Sequence, residues 1–357
     1  MLTRIDHVML CVPNLEEGIE AYTRIGFHVY PGGAHTGGAT HNAIAFHQED
    51  YLELLTLRDG RPAAALIPGS SDARLSEFLA RGGGFRYVAV QSDDLAADVA
   101  AMRRHGVDVG DAIEGSRRTP AGQELRWKAA GLGPRNPLPI FFVQHLTPLD
   151  ERRRQVARAG DHPNGALRLD RVYIAVPDVA VAAASYGRVL GMSVPKIQRG
   201  AVIKADMAVF DLGPTGLTVA QPAEPGPAAE ALARRGPGPF QVLYRTSSMD
   251  AAVRWMESHG MPPPARGIRN TGEQAILARR ENPHPRVAAQ PRRLAWTTDC
   301  SRCRRIHPSA VCTTVTSGTS SSFAGRTSSA SARRGSASIT PRPGSRTRRR
   351  TCWWPRR

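Results

Sequence analysis

The chain has 357 residues, 41% of them hydrophobic, which suffices for the cores of two ordinary domains. Its net charge of +17 points first to a nucleic-acid binder, yet residues 283–357 hold 16 Arg, no Lys and one acid, Asp299, leaving 32 basic against 30 acidic residues in 1–282. A near-neutral body excludes a specific nucleic-acid partner on charge, and no apolar run approaches the ~20 residues of a membrane span.

The first strand begins almost at Met1, leaving no room for a signal peptide, and only Cys11 of the five cysteines lies in the body, so a cytoplasmic protein without a disulfide framework is expected. In LTRIDHVMLCVPNLEEGIEAYTRIGF, alternation puts Ile5, His7, Met9 and Cys11 on one face of a strand and Val8, Leu10 and Val12 on the other. Pro13 ends the strand, Asn14 caps a helix, Glu16 and Glu17 favour its first turn, and Gly26 stops it. Three short strands follow, ending in DYLELLTL; the glycine runs in PGGAHTGGATHNA bend a strand and lack the lysine or spacing of a phosphate loop.

After a short helix at 71–80, Gly82-Gly83-Gly84 reads as a flexible joint. The pattern of strand, capped helix and glycine stop then recurs in FRYVAVQSDDLAADVAAMRRHGVDV, with further strands in QELRWKAAG and LPIFFVQHL. The polar, Arg-rich stretch 147–165 reads as a linker. Beyond it LDRVYIAVPDVAVAAASYGRVLGM repeats the opening at a constant offset of 164, matching Asp6 with Asp170 and Tyr22 with Tyr186. A fourth module starts near Phe240, echoes the second at an offset of 154, and breaks off in TGEQAILARR, read as its third strand with no fourth.

Repeated βαβββ modules with a His in IDHV and a Glu in YLELL resemble the vicinal oxygen chelate superfamily, and more narrowly its glyoxalase-like domains (the glyoxalase, bleomycin-resistance and dioxygenase type). The resemblance covers about residues 2–280. It implies an α+β fold in which paired modules curl mixed sheets into cups: an N-terminal domain over 1–146 (modules 2–57 and 85–145), a linker over 147–165 and a degenerate second copy over 166–282. It further implies that His7 and Glu53 occupy one module's two metal-ligand positions, Glu53 being also the catalytic candidate. The residue types alone allow the same thing, since imidazole plus carboxylate suits Zn, Fe(II), Mn or Ni, and such a site polarises vicinal oxygens. They equally allow a hydrogen-bonded barrel histidine and a Glu paired with an Arg.

The other half of that site matches poorly. Tyr87 stands where the second module should place His or Gln, and Phe141 or Phe142 stands near the expected Glu. Gln144 and His145 are neighbours on a strand, so only one faces inward; Gln144 is taken as the ligand candidate. His41 is a further candidate: a three-residue hairpin loop would put it on Glu53's face, and a two-residue loop would turn it away. Asn42 and His35 are weaker ones. In the second copy Arg171 replaces His7 and Thr218 replaces Glu53, with Gln241 or Val242 in the fourth module, so no metal is expected there.

Two functions follow: a divalent-metal lyase, isomerase or dioxygenase acting on a small substrate with vicinal oxygens, or a metal-free cup that sequesters a small apolar ligand against Tyr87, Trp127, Phe141 and Phe142. The residues leave open whether two chains pair as a homodimer. The tail 283–357, rich in Arg, Ser, Thr, Pro and Ala, reads as a disordered basic segment of the composition an out-of-frame GC-rich gene gives. Within it Cys300, Cys303, His307 and Cys312 have a spacing close to a zinc knuckle.

Overall fold

The structure, a computed structural model, describes residues 1–36, 38–58, 67, 75–261, 267–268 and 274–279, the last two stretches as backbone only. The described residues all fall within one compact unit. The expectations for 283–357 fall outside the described residues.

The chain opens with β1 (Leu2–Cys11), α1 (Leu15–Ile25), β2 (Tyr30–His35), β3 (Thr40–Phe46), β4 (Tyr51–Leu57) and α2 (Leu75–Ala80). The second module supplies β5 (Gly84–Ser92), α3 (Leu95–Arg104), β6 (Ile113–Arg118), β7 (Glu124–Gly131) and β8 (Ile140–His145). These eight strands close into a barrel in the order β1-β4-β3-β2-β6-β7-β8-β5. After α4 (Leu149–Arg153) come β9 (Ala166–Ala175), α5 (Val179–Leu190), β10 (Gln198–Gly200), β11 (Ala205–Leu212), β12 (Thr215–Pro222), α6 (Pro227–Arg235), β13 (Gly238–Thr246), α7 (Met249–Ser258), β14 (Gly267–Ile268) and β15 (Gln274–Arg279). Their strands make an open sheet, β10-β11-β12-β9-β13-β15-β14. The fold is therefore α+β, with one sheet closed and its repeat open. No described helix is long and apolar enough to cross a membrane.

The expected caps are in place. Asn14 accepts from the Glu17 amide at 3.1 Å, and Gly26 ends α1 in the left-handed region at φ 99°. A Cβ on Gly26 would also lie 2.7 Å from Trp255 Cδ1, so the same glycine lets α7 dock on α1, where Trp255 Nε1 donates to the Arg24 carbonyl. The expected glycine joint is something else: a Cβ on Gly83 would sit 2.2 Å from the Cys11 carbonyl oxygen. Gly83 is buried at a close backbone approach and does not act as a hinge.

Two apolar layers follow from strand alternation. The barrel's outer face (Val8, Leu10, Leu52, Leu54, Val88, Phe142) packs on α1 and α3, and the same core continues into Leu169, Val172, Ile174 and Tyr244 of the second sheet. A smaller cluster inside the barrel holds Met9, Cys11, Leu55, Tyr87, Phe141 and Val143, closed at one end by Leu75 and Leu79 of α2. Ile5 departs from simple alternation: it packs with Val8 and Leu10 instead of sharing His7's face. The reason is a bulge, for Ile5 pairs with Val90 and His7 with Ala89, leaving Asp6 as an extra residue. The repeat keeps this bulge, since Leu169 pairs with Tyr244 and Arg171 with Leu243, with Asp170 unopposed. The TGEQAILARR strand also differs from expectation. As β15 it runs antiparallel beside β13, in the position that β8 takes, parallel, beside β5.

Candidate functional site

A cavity of about 280 Å³ opens inside the barrel. His7 and Glu53 both reach it and are 5% and 4% exposed. Parallel pairing of β1 and β4 sets Met9 opposite Glu53, and Glu53 Oε2 lies 3.6 Å from His7 Nε2.

The His7 ring is fixed on every side. Its Nδ1 lies 2.7 Å from Asp6 Oδ1, Tyr51 stacks on it at 4.5 Å, and Phe141 meets it edge-on at 5.5 Å. Asp6 is fully buried and its other oxygen lies 2.9 Å from His145 Nε2. Burial alone would raise the Asp6 pKa, but the His145 and His7 rings beside it hold it well below the ordinary carboxylate value. An ionised Asp6 only accepts, so it accepts one hydrogen bond from each ring, from Nδ1–H of His7 and Nε2–H of His145. With Nδ1 turned to Asp6, Nε2 is the ring nitrogen that faces Glu53. Burial lowers the pKa of His145, Asp6 opposing, so the neutral ring is the resting form.

Glu53 is held from the far side by Asn42, whose Nδ2 donates to Oε1 at 2.6 Å, and His35 Nε2 stands 3.7 Å from the same oxygen. Burial lowers the pKa of His35 as well, against the pull of Glu53. The barrel thus gathers His7, His35 and Glu53, with Asp6 and Asn42 behind them. Among the described residues no three His, Cys, Asp or Glu side chains converge tightly enough to grip an ion as they stand.

Two ligand candidates lie elsewhere. Phe46 pairs with Tyr51 across a four-residue loop, an even count, so His41 opposes Thr56 on the outer face and Asn42 takes the inward place. Gln144 also faces out: its Oε1 accepts from Leu95 N at the start of α3 and its Nε2 donates to Asp93 O, while His145 points in. His35 reaches the interior through a second bulge, between Pro31 and Gly33, which shifts β2 by one residue against β3. Without that extra residue His35 would face outward.

Of the pocket candidates, Trp127 lines the cavity and Tyr87 lies in the interior cluster, but Phe142 belongs to the outer core and Phe141 takes its place inside. The β5–β8 pairing of Ala89 with Phe141 mirrors that of Met9 with Glu53. Tyr87 and Phe141 therefore stand at the symmetry positions of His7 and Glu53, ring to ring at 6.3 Å. The matched pair is polar in the first module and aromatic in the second. Sequence reading passed over Asp6, Arg117 and Arg152, the last two also lining the cavity. The Asp6/Asp170 match was the one signal for Asp6.

The family profile described as "Glyoxalase-like domain" matches residues 5–190, more than half of the chain. The chain belongs to that family. Residues 170–277 further match the "Glyoxalase/Bleomycin resistance protein/Dioxygenase superfamily" profile, so both halves of this glyoxalase-like chain fall within the vicinal oxygen chelate superfamily. No curated protein sequence matches it. Among solved structures it is similar to a mutant of 4-hydroxymandelate synthase from Streptomyces coelicolor, at 17% identity over 74% of this chain and 76% of that one, with a TM-score of 0.52. That similarity shows the fold. A hypothetical protein from Staphylococcus aureus aligns at 15% identity over 62% and 87% of the two chains, TM-score 0.49. A methylmalonyl-CoA epimerase from Streptomyces coelicolor aligns at 24% identity over 41% and 100%, TM-score 0.31.

Proposed function

We propose that the barrel of this glyoxalase-like chain holds one divalent metal through His7 and Glu53, with His35 as third donor, and acts on a small substrate bearing vicinal oxygens. The observation that carries this reading is the approach of His7 Nε2 to Glu53 Oε2 at 3.6 Å inside the barrel, with the ring's Nδ1 held by Asp6. Two donors bonded at about 2.0–2.2 Å to one ion sit roughly 3 Å apart, so the observed spacing asks for only a small closure. Two imidazoles and one carboxylate suit Zn, Fe(II), Mn or Ni. When bound, such an ion polarises the substrate's vicinal oxygens. The chain's own residues do the rest. Asp6 keeps His7 in one tautomer, Asn42 orients Glu53, and Glu53 is the base within reach of a proton on the substrate carbon or hydroxyl. Tyr51, Phe141 and Trp127 exclude water around it. Lyase, isomerase and dioxygenase chemistry all use this arrangement.

The aromatic pair of the second module favours a second reading, in which the same cavity sequesters a small ligand without metal, using Trp127 and Phe141 as walls. Metal titration of chelator-stripped protein separates the two. One equivalent retained per chain, and lost in Glu53→Gln and His7→Ala, supports the enzyme. No retention of any of the four metals sinks it and leaves the binding protein.

A further inference from the structure

The polar stretch after β8, with the composition of a linker, forms part of the site. Leu149, Val156 and Ala159 pack against Ile44, Phe46, Tyr30 and Tyr51 and plug one end of the barrel. This plug carries Arg152 and Gln155 into the cavity wall.

Arg152 is 7% exposed, and its Nε is buried with no hydrogen-bond acceptor. Its Nη1 lies 3.1 Å from His145 Nε2, a nitrogen that already faces Asp6 Oδ2 at 2.9 Å. Arg117, the other cation of the cavity wall, is engaged: it donates to the Gly32 carbonyl and to Gln155 Oε1. Glu114 at the rim is paired with Arg126 at 2.7 Å. Arg152 therefore brings to the cavity wall a guanidinium whose Nε has no acceptor and which no carboxylate meets in an ion pair among the described residues. Such a buried cation is costly unless an anion meets it.

We propose that Arg152 is the anchor for a carboxylate on the ligand. One guanidinium fork balances one negative charge and grips a planar carboxylate through two N–H groups. The ligand class is a small monocarboxylate with a flat apolar body, lying against Trp127 and Phe141. Its placement of vicinal oxygens towards His7 and Glu53 rests on the function proposed above; the anchor itself does not.

The test uses the full chain stripped of metal with chelator and titrated calorimetrically with benzoate and with its neutral isostere benzamide. The wild type should bind benzoate at least tenfold tighter than benzamide, about 1.4 kcal/mol. Arg152→Gln should bring benzoate down to the benzamide level, and Arg152→Lys should keep part of the preference. Equal binding of the two probes by the wild type, no detectable benzoate binding, or an undiminished preference in a folded Arg152→Gln overturns the anchor. If Arg152→Gln does not fold, the wild-type comparison of the two probes decides alone. His7→Ala, scored for both metal retention and probe binding, separates this proposal from the metal: a variant that loses the metal and keeps the benzoate preference leaves both standing, whereas a wild type that retains no metal but still prefers benzoate refutes the metal site and keeps the anchor.

Discussion

The barrel and the second sheet are two copies of one plan, and they differ in what fills the concave face. Both keep the register, with Met9 opposite Glu53 and Tyr173 opposite Thr218, and both keep the aspartate bulge. In the barrel, Asp6 orients a histidine beside an open cavity. In the sheet, Asp170 instead grips Arg245 at 2.6 Å, and Arg171 reaches out to Asp211 at 2.6 Å and to Thr218. Ala228 and Ala231 of α6 lie among Ala175, Ala205, Ala220 and Phe240, the place that Leu75 and Leu79 of α2 take beside Cys11 and Leu55 in the barrel. The scaffold does not need the chemistry. Where the His and Glu are lost, the matching positions carry a buried Arg171 and Thr218 paired with each other, and the outer face serves as a brace for the barrel.

The sharpest way to break this contrast is to exchange matched positions. Asp170→Asn removes the carboxylate from a buried ion pair and should cost about 3–5 kcal/mol of stability, read from urea midpoints, with metal retention unchanged. Asp6→Asn should do the reverse in kind. It loosens the His7 tautomer and lowers metal affinity about 10–100-fold, measured by competition with a chelator. Equal effects of the two substitutions on metal affinity would erase the distinction between the copies.

Acid should act at the seam between the copies. Burial, followed by the neighbouring His47 and His28, lowers His162 from 6.5 to about 2. The ring is neutral in the folded protein, so its contribution is complete above pH 6.5 and is lost progressively as the pH falls below that. The slope should reach about 1.4 kcal/mol per pH unit for this one proton, with lowered His35 and His145 adding in the same direction. Urea unfolding at neutral pH and at about pH 5 measures it, and His162→Gln should flatten the dependence. A stability that does not change over this range would contradict the burial of these rings.

The smallest effect lies at the helix caps. Asp178 accepts from two amides, at 2.9 and 3.0 Å, where Asn14 accepts from one. Both alanine substitutions should cost about 1 kcal/mol, with Asp178→Ala the larger, by thermal melts.

Strands, helices, caps and the repeat were legible because alternation, Asn14 and Gly26 act through neighbours in sequence. His7 and Glu53 stood out as polar residues on apolar strands. What the sequence hid was parity. The extra residues at Asp6 and between Pro31 and Gly33 each flip every later side chain, and the four-residue loop before Tyr51 sends His41 out and Asn42 in. The choice between Gln144 and His145 hung on the same parity, and it was settled by the amide at the start of α3, which captures Gln144. Arg152 was hidden differently: a charged residue in a charged stretch gives no sign that the stretch folds back on the barrel.

That plug has a consequence for how the molecule is made. A chain leaving the ribosome completes all eight barrel strands at His145, yet Ile44, Phe46 and Tyr51 stay uncovered until Leu149 and Val156 emerge. The nascent barrel is thus an uncorked vessel whose stopper is the next stretch translated, and the stopper carries one of the walls of the cavity with it. A gene boundary or an engineered cut at residue 146 would release the vessel open, whereas one placed after residue 160 would deliver it sealed.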